Sequence, residues 1–449
     1  MDRTIVFCMT LMLTAVSLSG CTGDETELNA ANERIAELES QFENDQERIA
    51  ELESEAEADE ARYQKLMDDF SEDLNEEWNL GYFQGYSEGY FQGDVDAAPV
   101  STLDTIMERG TMRCGVKMEQ YGMGWLDVNG IRSGLDIEYC KAIAAAIGLN
   151  PNTDIEYILA TGSTRFDLLA NGGIDVLIRT TTWTTSRDAG LNADFAGINF
   201  YDGQGIMIRS DFISAETAEN SIYALDGANI CVGMGTTSEM NILDWSSASG
   251  VSINPVSVTG SWEANENFID GSCDAYTGDT SALVAKKWQM DNDGSVMADM
   301  DGDGTDEQVP IWIGQELLSK EPLAAVTRDY DTEWNEIVSW VWYAMVTAEE
   351  MGISSTNYGS ADTSDPSVDR LLYSNLGLGT DANPLPSTWV QNVLDSVGNY
   401  GEAYDRSFCD GSYDGVSGSD AMTGCLISRS GTYNALVSEG GLQYAPPMR

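Results

Sequence analysis

Beyond its acidic N-terminal part, the chain alternates short apolar segments with segments of helical periodicity. The segments Met112–Val116, Ile155–Leu159 and 174–178 are typical of buried strands. Between them, residues 135–147 and 165–171 carry apolar side chains at helical spacing and end at glycines. Strands that alternate with helices predict an α/β fold with a mostly parallel sheet.

A second α/β unit begins near residue 222. Its first strand, Asn229–Gly233, runs into a hydroxyl-rich turn at 234–239, and a later strand at 272–276 leads to Asp279. Backbone N–H groups at the start of the helix after this turn are suited to a carboxylate. Ligands of α/β folds bind where strands end, so the loops at 120–125 and 179–187 are predicted to line a cleft.

The charge balance excludes several classes of function. The chain has 449 residues, with 75 acidic and 22 basic side chains, a net charge of −53 and no histidine. Nucleic-acid binding needs a basic face, so it is excluded. The lack of histidine excludes Ser-His-Asp and Cys-His catalysis and the usual catalytic zinc ligands. No acid/base pair for other catalysis stands out either, and we expect a protein that is not an enzyme.

The first 20 residues have the form of an export signal. An apolar run from Ile5 to Val16 is too short to span a bilayer, and it leads to Leu18-Ser-Gly-Cys21, which resembles a lipoprotein lipobox. We expect Cys21 to carry the lipid and to tether the chain outside the cytoplasmic membrane, at its outer face or in the periplasm. The alternative is an ordinary cleaved signal with a chance cysteine.

Residues 21–77 are predicted to form an acidic stalk. Residues 24–77 contain 21 acidic and 4 basic side chains, and apolar residues recur there at heptad spacing. The pattern favours an oligomeric coiled coil, although Asp45 and Asp59 weaken its seam and a lone solvated helix stays open. A Gly/Tyr linker follows at 78–100.

Ordered motifs then carry a family resemblance. They lie at 113–116, 134–140, 174–188, 194–205, 235–239, 319–323, 397–402 and 441–447. Together they resemble the periplasmic solute-binding proteins of polar amino-acid ABC transporters, in particular the general L-amino-acid binders.

The resemblance implies a two-lobed α/β periplasmic-binding-protein fold of type II. Two hinge strands are expected near 205–209 and 321–327. Lobe one comprises 101–206 and 326–449, and lobe two comprises 207–325 with an acidic insertion at 289–310. The implied function is capture of a free L-amino acid and its delivery to a membrane permease. A sensor of amino acids and an enzyme of the same fold, such as a dehydratase, are the alternatives.

The resemblance also assigns ligand contacts. Arg187 matches the arginine that holds the ligand α-carboxylate through a bidentate fork, and Asp279 matches the aspartate that pairs with the α-ammonium. Further ligand contacts are expected from Thr180 and Thr182, and Thr237 with Thr236 would add donors from lobe two to the same carboxylate. Each threonine suits a turn or helix cap equally. The remaining candidates are Tyr121 and Trp125, which would cover the ligand side chain or belong to the core, and Arg179, which would select acidic side chains or brace its loop.

Six cysteines remain after Cys8 and Cys21, and an even number outside the cytoplasm indicates disulfides. The connectivity stays open at this stage. The pairs that suit the predicted elements are Cys114 with Cys140, Cys231 with Cys273, and Cys409 with Cys425.

The acidic insertion contains the start of a calcium-loop pattern. Oxygens of Asp299, Asp301 and Asp303 and the carbonyl of Thr305 follow the usual spacing, with Gly304 at the turn. Pro310 stands where a bidentate glutamate is usual, so Asp306 or Glu307 would have to substitute. The expectation is structural calcium, and the alternative is a solvated acidic loop. No other cofactor is required.

Overall fold

The computed structural model of the protein describes residues 101–409 and 425–449. The predicted signal peptide, lipidated Cys21, stalk and linker lie outside the described residues. Within the described part, no helix is both long and apolar enough to cross a membrane.

Lobe one opens with a compact α/β unit. Its elements are α1 (Thr102–Arg109), β1 (Met112–Val116), β2 (Glu119–Gln120), β3 (Gly124–Leu126), β4 (Arg132–Ser133), α2 (Leu135–Ala146), β5 (Ile155–Leu159), α3 (Arg165–Ala170), β6 (Val176–Leu177) and α4 (Thr185–Gly190). The predictions for β1 and β5 are confirmed to the residue. The strand predicted at 174–178 is shorter, because only two of its residues pair with β1.

A long strand then carries the chain into lobe two, and a second long strand brings it back. The elements are β7 (Ala193–Arg209), a 3₁₀ turn (Ile222–Ala224), β8 (Asn229–Gly233), α5 (Thr237–Ser249), β9 (Asn254–Val258), α6 (Ser261–Ile269), β10 (Ala275–Asp279), α7 (Thr280–Asp293), β11 (Met297–Ala298), β12 (Glu307–Gln308), β13 (Ile311–Ile313) and β14 (Ser319–Arg328).

The returning chain completes lobe one with helices. These are α8 (Thr332–Glu350), α9 (Pro366–Tyr373), α10 (Trp389–Ser396) and α11 (Tyr400–Phe408), with 3₁₀ turns at Tyr358–Ser360 and Val437–Glu439. Asn399 and Glu402 form a reciprocal capping box at the start of α11.

One sheet of nine strands runs through both lobes, in the order β5-β1-β6-β14-β7-β10-β8-β9, and β13 also pairs with β7. Within each lobe the outer strands are parallel, as predicted. The centre differs from the prediction, since β7 and β14 are antiparallel along their length. The reason is topological: β7 leaves lobe one and β14 returns to it.

The residues in the two hydrophobic cores show where the chain crosses from one lobe to the other. Ile206 packs in the core of lobe two, and Leu323 and Ala325 pack in the core of lobe one. The expected hinge at 205–209 therefore lies inside lobe two, where it pairs with β10 and β13. The strands cross between the lobes at residues 201–204 and 319–322.

Lobe one has the larger core, which α8 traverses. Trp334, Trp342 and Trp389 are fully buried there. Burial of each such side chain contributes roughly 1.5–3 kcal/mol or more, so this core anchors the molecule. In the described part of the chain, disulfides join Cys114 to Cys140 and Cys409 to Cys425 in lobe one and Cys231 to Cys273 in lobe two, which is the pairing suggested by the sequence.

Candidate functional site

The two lobes meet across a cleft, and the structure is closed. Gln120, in lobe one, donates from its Nε2 to the Ser281 hydroxyl of lobe two at 3.1 Å, and both side chains are buried. The lobes also approach each other closely at Gly162 of lobe one. A Cβ added there would lie only 3.0 Å from the Met234 carbonyl oxygen of lobe two. The loops that follow strand ends in both lobes thus face each other, as the sequence predicts.

Arg187 lies in the short helix α4 on the lobe-one side. Thr184 caps this helix by accepting from the Arg187 backbone N–H at 3.3 Å. The guanidinium donates from Nη1 to the Thr182 carbonyl at 3.0 Å and lies over the Phe166 ring, 5.6 Å from its centroid. Burial lowers the pKa of Arg187, while the charges of Glu321 and Asp279 raise it. The side chain is therefore held in place beside two carboxylates.

Two further buried arginines share this site. Arg165 begins α3 and Arg179 follows β6; they are 2% and 8% exposed. Burial lowers the pKa of both, and the charges of Arg179 and Arg187 lower that of Arg165 further. The Nε atoms of Arg165 and Arg179 have no hydrogen-bond acceptor among the described residues. Buried cations without acceptors are costly, so the site is suited to an anion.

Two carboxylates that repel each other lie at the end of β10 and at the crossing between the lobes. Asp279 ends β10, and no described residue donates a hydrogen bond to its side chain; burial raises its pKa, Lys117 lowers it and Glu321 raises it. Asp202, at the crossing of β7, accepts from the backbone N–H of Gly203 at 2.8 Å. Burial and the charge of Asp279 raise the pKa of Asp202 to about 7. A cation between these carboxylates would relieve their repulsion.

Glu321 occupies the floor of the cleft, on the crossing segment of β14, and is 1% exposed. Its Oε2 accepts from the hydroxyls of Thr182 at 2.5 Å and Thr237 at 2.9 Å. Its Oε1 accepts from Asn241 Nδ2 at 3.0 Å and from the Ser319 hydroxyl at 2.5 Å. Donors from both lobes therefore converge on one carboxylate.

Thr180 has a strained backbone at the edge of the site. Its φ is 48°, in the left-handed region that β-branched residues avoid. Asp136, near the start of α2, accepts from the Thr180 N–H at 3.2 Å and so stabilises this conformation. Burial raises the pKa of Asp136 to about 6, against the opposing charges of Lys117 and Arg179.

The hydroxyl of Thr236 serves its own helix. It accepts from the Glu239 N–H at 3.3 Å as the N-cap of α5 and donates to the Gly233 carbonyl at 2.7 Å. The capping alternative thus describes this side chain.

Tyr121 and Trp125 belong to an aromatic cluster that bridges the lobes. Their rings stack at 3.8 Å, and Tyr121 meets Trp288 of α7 edge-on at 5.4 Å. Ala285 and Leu426 pack with them. The two rings thus form a small core at the loop expected to cover the ligand, and their contact with the ligand stays a prediction.

Sequence reasoning missed several residues of the site: Arg165, Glu321, Asp202, Asp136 and Lys117. For Arg165 a signal was present, because it directly follows the loop at the carboxyl end of β5. Glu321 lies in the motif at 319–323 and in the hinge expected at 321–327, but its role as an acceptor was not predicted, since its four donors come from positions as far apart as Thr182 and Ser319.

The candidate calcium loop forms the turn between β11 and β12. One carboxylate oxygen from each of Asp299, Asp301 and Asp303 can be chosen so that all three lie within 4.8 Å of one another, and the side chains are exposed. Asp299 also accepts from the N–H groups of Gly302 and Gly304 at 2.7 and 2.9 Å. The turn is thus ordered by its own acidic side chains.

Comparison with known proteins identifies a family and similar relatives. The family model of the bacterial extracellular solute-binding proteins, family 3, matches residues 112–360. The glutamate/glutamine/aspartate/asparagine-binding protein BztA of Rhodobacter capsulatus is 37% identical over 355 residues, which are 79% of this chain and 95% of the relative. The general L-amino acid-binding periplasmic protein AapJ of Rhizobium johnstonii is 36% identical over 79% of this chain and 94% of its own length.

A solved structure resembles the described fold. The periplasmic binding protein of an ABC transporter from Brucella ovis, with glutathione bound, has a TM-score of 0.65 and 36% sequence identity. The similarity covers 78% of this chain and 100% of the Brucella ovis chain.

Proposed function

The chain belongs to the bacterial extracellular solute-binding proteins, family 3, and we propose that it captures a free L-amino acid between its lobes. It is the substrate-binding component of an ABC transporter and delivers the ligand to the membrane permease. Relatives named as amino-acid-binding proteins favour this role over the sensor and dehydratase alternatives.

One observation carries the proposal: buried charges of both signs face one cleft. Arg165, Arg179 and Arg187 are buried, and two of them lack acceptors for their Nε atoms among the described residues. Asp279 is nearby and bears a raised pKa. An amino acid carries a carboxylate and an ammonium on one carbon, and it would satisfy both groups of charges at once.

The charges suggest how the ligand is oriented. Its α-carboxylate pairs with Arg187 and its α-ammonium with Asp279. Arg165 and Arg179 provide more positive charge than one carboxylate needs, so we propose a preference for ligands with a second acidic group. The Rhodobacter capsulatus relative is named for glutamate, glutamine, aspartate and asparagine, two of which carry a second acidic group.

Isothermal titration of the full chain in mild detergent, refolded to remove bound ligand, tests the proposal. We expect micromolar or tighter binding of at least one of the twenty L-amino acids, with glutamate and aspartate among the best. Glutathione is included because the Brucella ovis relative holds it. If the folded protein binds none of the amino acids, the proposal is wrong.

The place of action is outside the cytoplasm, as for other members of this family. We further propose that Cys21 is lipidated and that the stalk at 21–77 holds the body away from the membrane. The lipobox-like sequence and the heptad pattern support this. A Cys21→Ser variant that still fractionates with membranes, and a mature N-terminus without a diacylglycerol mass, would contradict it.

Calcium binding by the loop of Asp299, Asp301 and Asp303, with the Thr305 carbonyl and Glu307, remains a prediction. If it is correct, calcium gives heat in a titration and raises the melting temperature. Asp299→Asn should abolish both effects, while Asp362→Asn, in an exposed loop of lobe one, should keep them.

A further inference from the structure

The hydrogen bonds around Glu321 fix the direction in which two hydroxyls can bond. A threonine hydroxyl has one proton and two acceptor lone pairs. Thr182 and Thr237 lie 2.5 and 2.9 Å from Glu321 Oε2, but 3.4 Å from each other. The shorter contacts to a charged acceptor are the stronger ones, so both protons are directed at Glu321.

Glu321 itself is held firmly in this arrangement. Its other oxygen accepts from Asn241 Nδ2 and the Ser319 hydroxyl, and the Asn241 amide also donates to Gln204 Oε1 at 2.9 Å. The carboxylate is 1% exposed. Any rotation of this buried carboxylate would break charge-assisted hydrogen bonds from its four donors, so its orientation is fixed.

We propose that Glu321 is a positioning residue that makes Thr182 and Thr237 acceptors toward the ligand. This inference rests on the proposed function and changes one part of it. With their protons committed, the two hydroxyls present lone pairs, which bind an ammonium and repel a carboxylate. The resemblance assigned Thr237 to the ligand carboxylate, whereas in this scheme its hydroxyl accepts from the ligand ammonium.

The consequence is that the site requires an α-ammonium group in its ligand. This requirement comes from the two threonine hydroxyls as well as from Asp279. A ligand with the same carbon skeleton but no amino group leaves two hydroxyl acceptors and Asp279 without a donor. Glu321 touches no ligand in this scheme and acts only through the two threonines.

Glu321→Gln tests the scheme. An amide nitrogen at the Oε1 position would face the Asn241 Nδ2 donor, so the amide should turn this nitrogen toward Thr182 and Thr237. The hydroxyls then accept from it, and their protons become available to the ligand. The pocket would lose part of its preference for a cation.

The experiment compares two ligands for each variant by isothermal titration of the full chain. The first is whichever of L-glutamate, L-glutamine, L-arginine or L-leucine binds the wild type most tightly, and the second is its des-amino acid, for example glutarate for glutamate. We expect Glu321→Gln to reduce the affinity ratio of amino acid to des-amino acid by roughly 10- to 100-fold, the effect of a hydrogen bond to a charged group.

Two more variants complete the test. Glu316→Gln is the matched control, because Glu316 also accepts two hydrogen bonds, from Ser221 Oγ at 2.6 Å and Ile222 N at 3.1 Å, but away from the cleft. Its ratio should equal that of the wild type. Thr237→Val keeps the shape and does not depend on the folding of Glu321→Gln. It should weaken binding of the amino acid and leave binding of the des-amino acid unchanged.

The outcomes separate the inference from the proposed function. If Thr237→Val weakens both ligands equally, or if a folded Glu321→Gln keeps the wild-type ratio, the inference is overturned and amino-acid binding stands. If the folded wild type binds none of the amino acids, both are overturned.

Discussion

Arg187 is held by contacts that lie within lobe one alone. The Thr182 carbonyl and the Phe166 ring hold its guanidinium, and the cap of α4 fixes its backbone. A cation held in this way loses little conformational entropy on binding, so most of its interaction with a carboxylate is expressed as affinity.

Arg187→Ala should weaken amino-acid binding by roughly 2–5 kcal/mol, because the ligand carboxylate would be buried without its partner. The measurement is isothermal titration at constant pH. Arg113→Ala is the control, since Arg113 pairs with Glu156 at 2.9 Å on the exposed edge of the sheet. Equal affinities for Arg187→Ala and the wild type would remove Arg187 from the site.

Asp202 predicts a pH dependence of stability. Its pKa rises from 3.8 to about 7 through burial and the charge of Asp279. Between about pH 4 and about pH 7 the unfolded chain loses a proton that the folded protein keeps, so stability falls as pH rises. Asp202→Asn cannot ionise, and its advantage in melting temperature over the wild type should grow across this range. Parallel melting curves for the two proteins would refute the assignment.

At the scale of elements, the strands were the most predictable part of the fold. Local periodicity located β1, β5 and β8 correctly because each is a short apolar run between turns. The antiparallel pairing of β7 with β14 was not predictable from local pattern, since residues more than a hundred positions apart pair there. The family resemblance assigned Arg187 and Asp279 to the ligand, whereas the four hydrogen bonds of Glu321 are seen only in the folded structure.

The junction before α2 depends on Gly134, which has a φ of 111°, and a Cβ there would lie 2.1 Å from the Met123 carbonyl oxygen. Gly134→Ala should therefore lower the free energy of unfolding by more than roughly 2 kcal/mol. Gly250→Ala is the matched control: its φ is 78°, but no atom lies within 4 Å. It should cost only about 1 kcal/mol. Denaturant unfolding measures both, and equal losses would contradict the steric argument.

At the scale of the whole molecule, closure depends on contacts that link the lobes directly. The ring of Tyr121 lies against Trp288, and Gln120 donates to Ser281. Contacts of this kind stabilise the closed state and so contribute to affinity without touching the ligand.

Trp288→Ala should weaken amino-acid binding several-fold, mainly through faster dissociation, because the closed state loses an aromatic contact. Stopped-flow kinetics separate the two rate constants. The control is Tyr223→Ala, whose ring packs on Trp245 within lobe two alone. A Trp288→Ala protein with an unchanged dissociation rate would show that the aromatic cluster plays no part in closure.

The two crossings also define lobe two as one uninterrupted stretch of chain. Its entry and exit are adjacent, because Gln204 pairs with Ser319 in the register of β7 and β14. In genetic terms the lobe is a cassette. A single recombined segment can replace the whole lobe, and the new lobe joins the recipient chain at two neighbouring backbone positions. Such an exchange would import Thr237 and Asp279 together while the recipient keeps its own Arg187. One recombination event can therefore replace half of the binding site and produce a new ligand specificity.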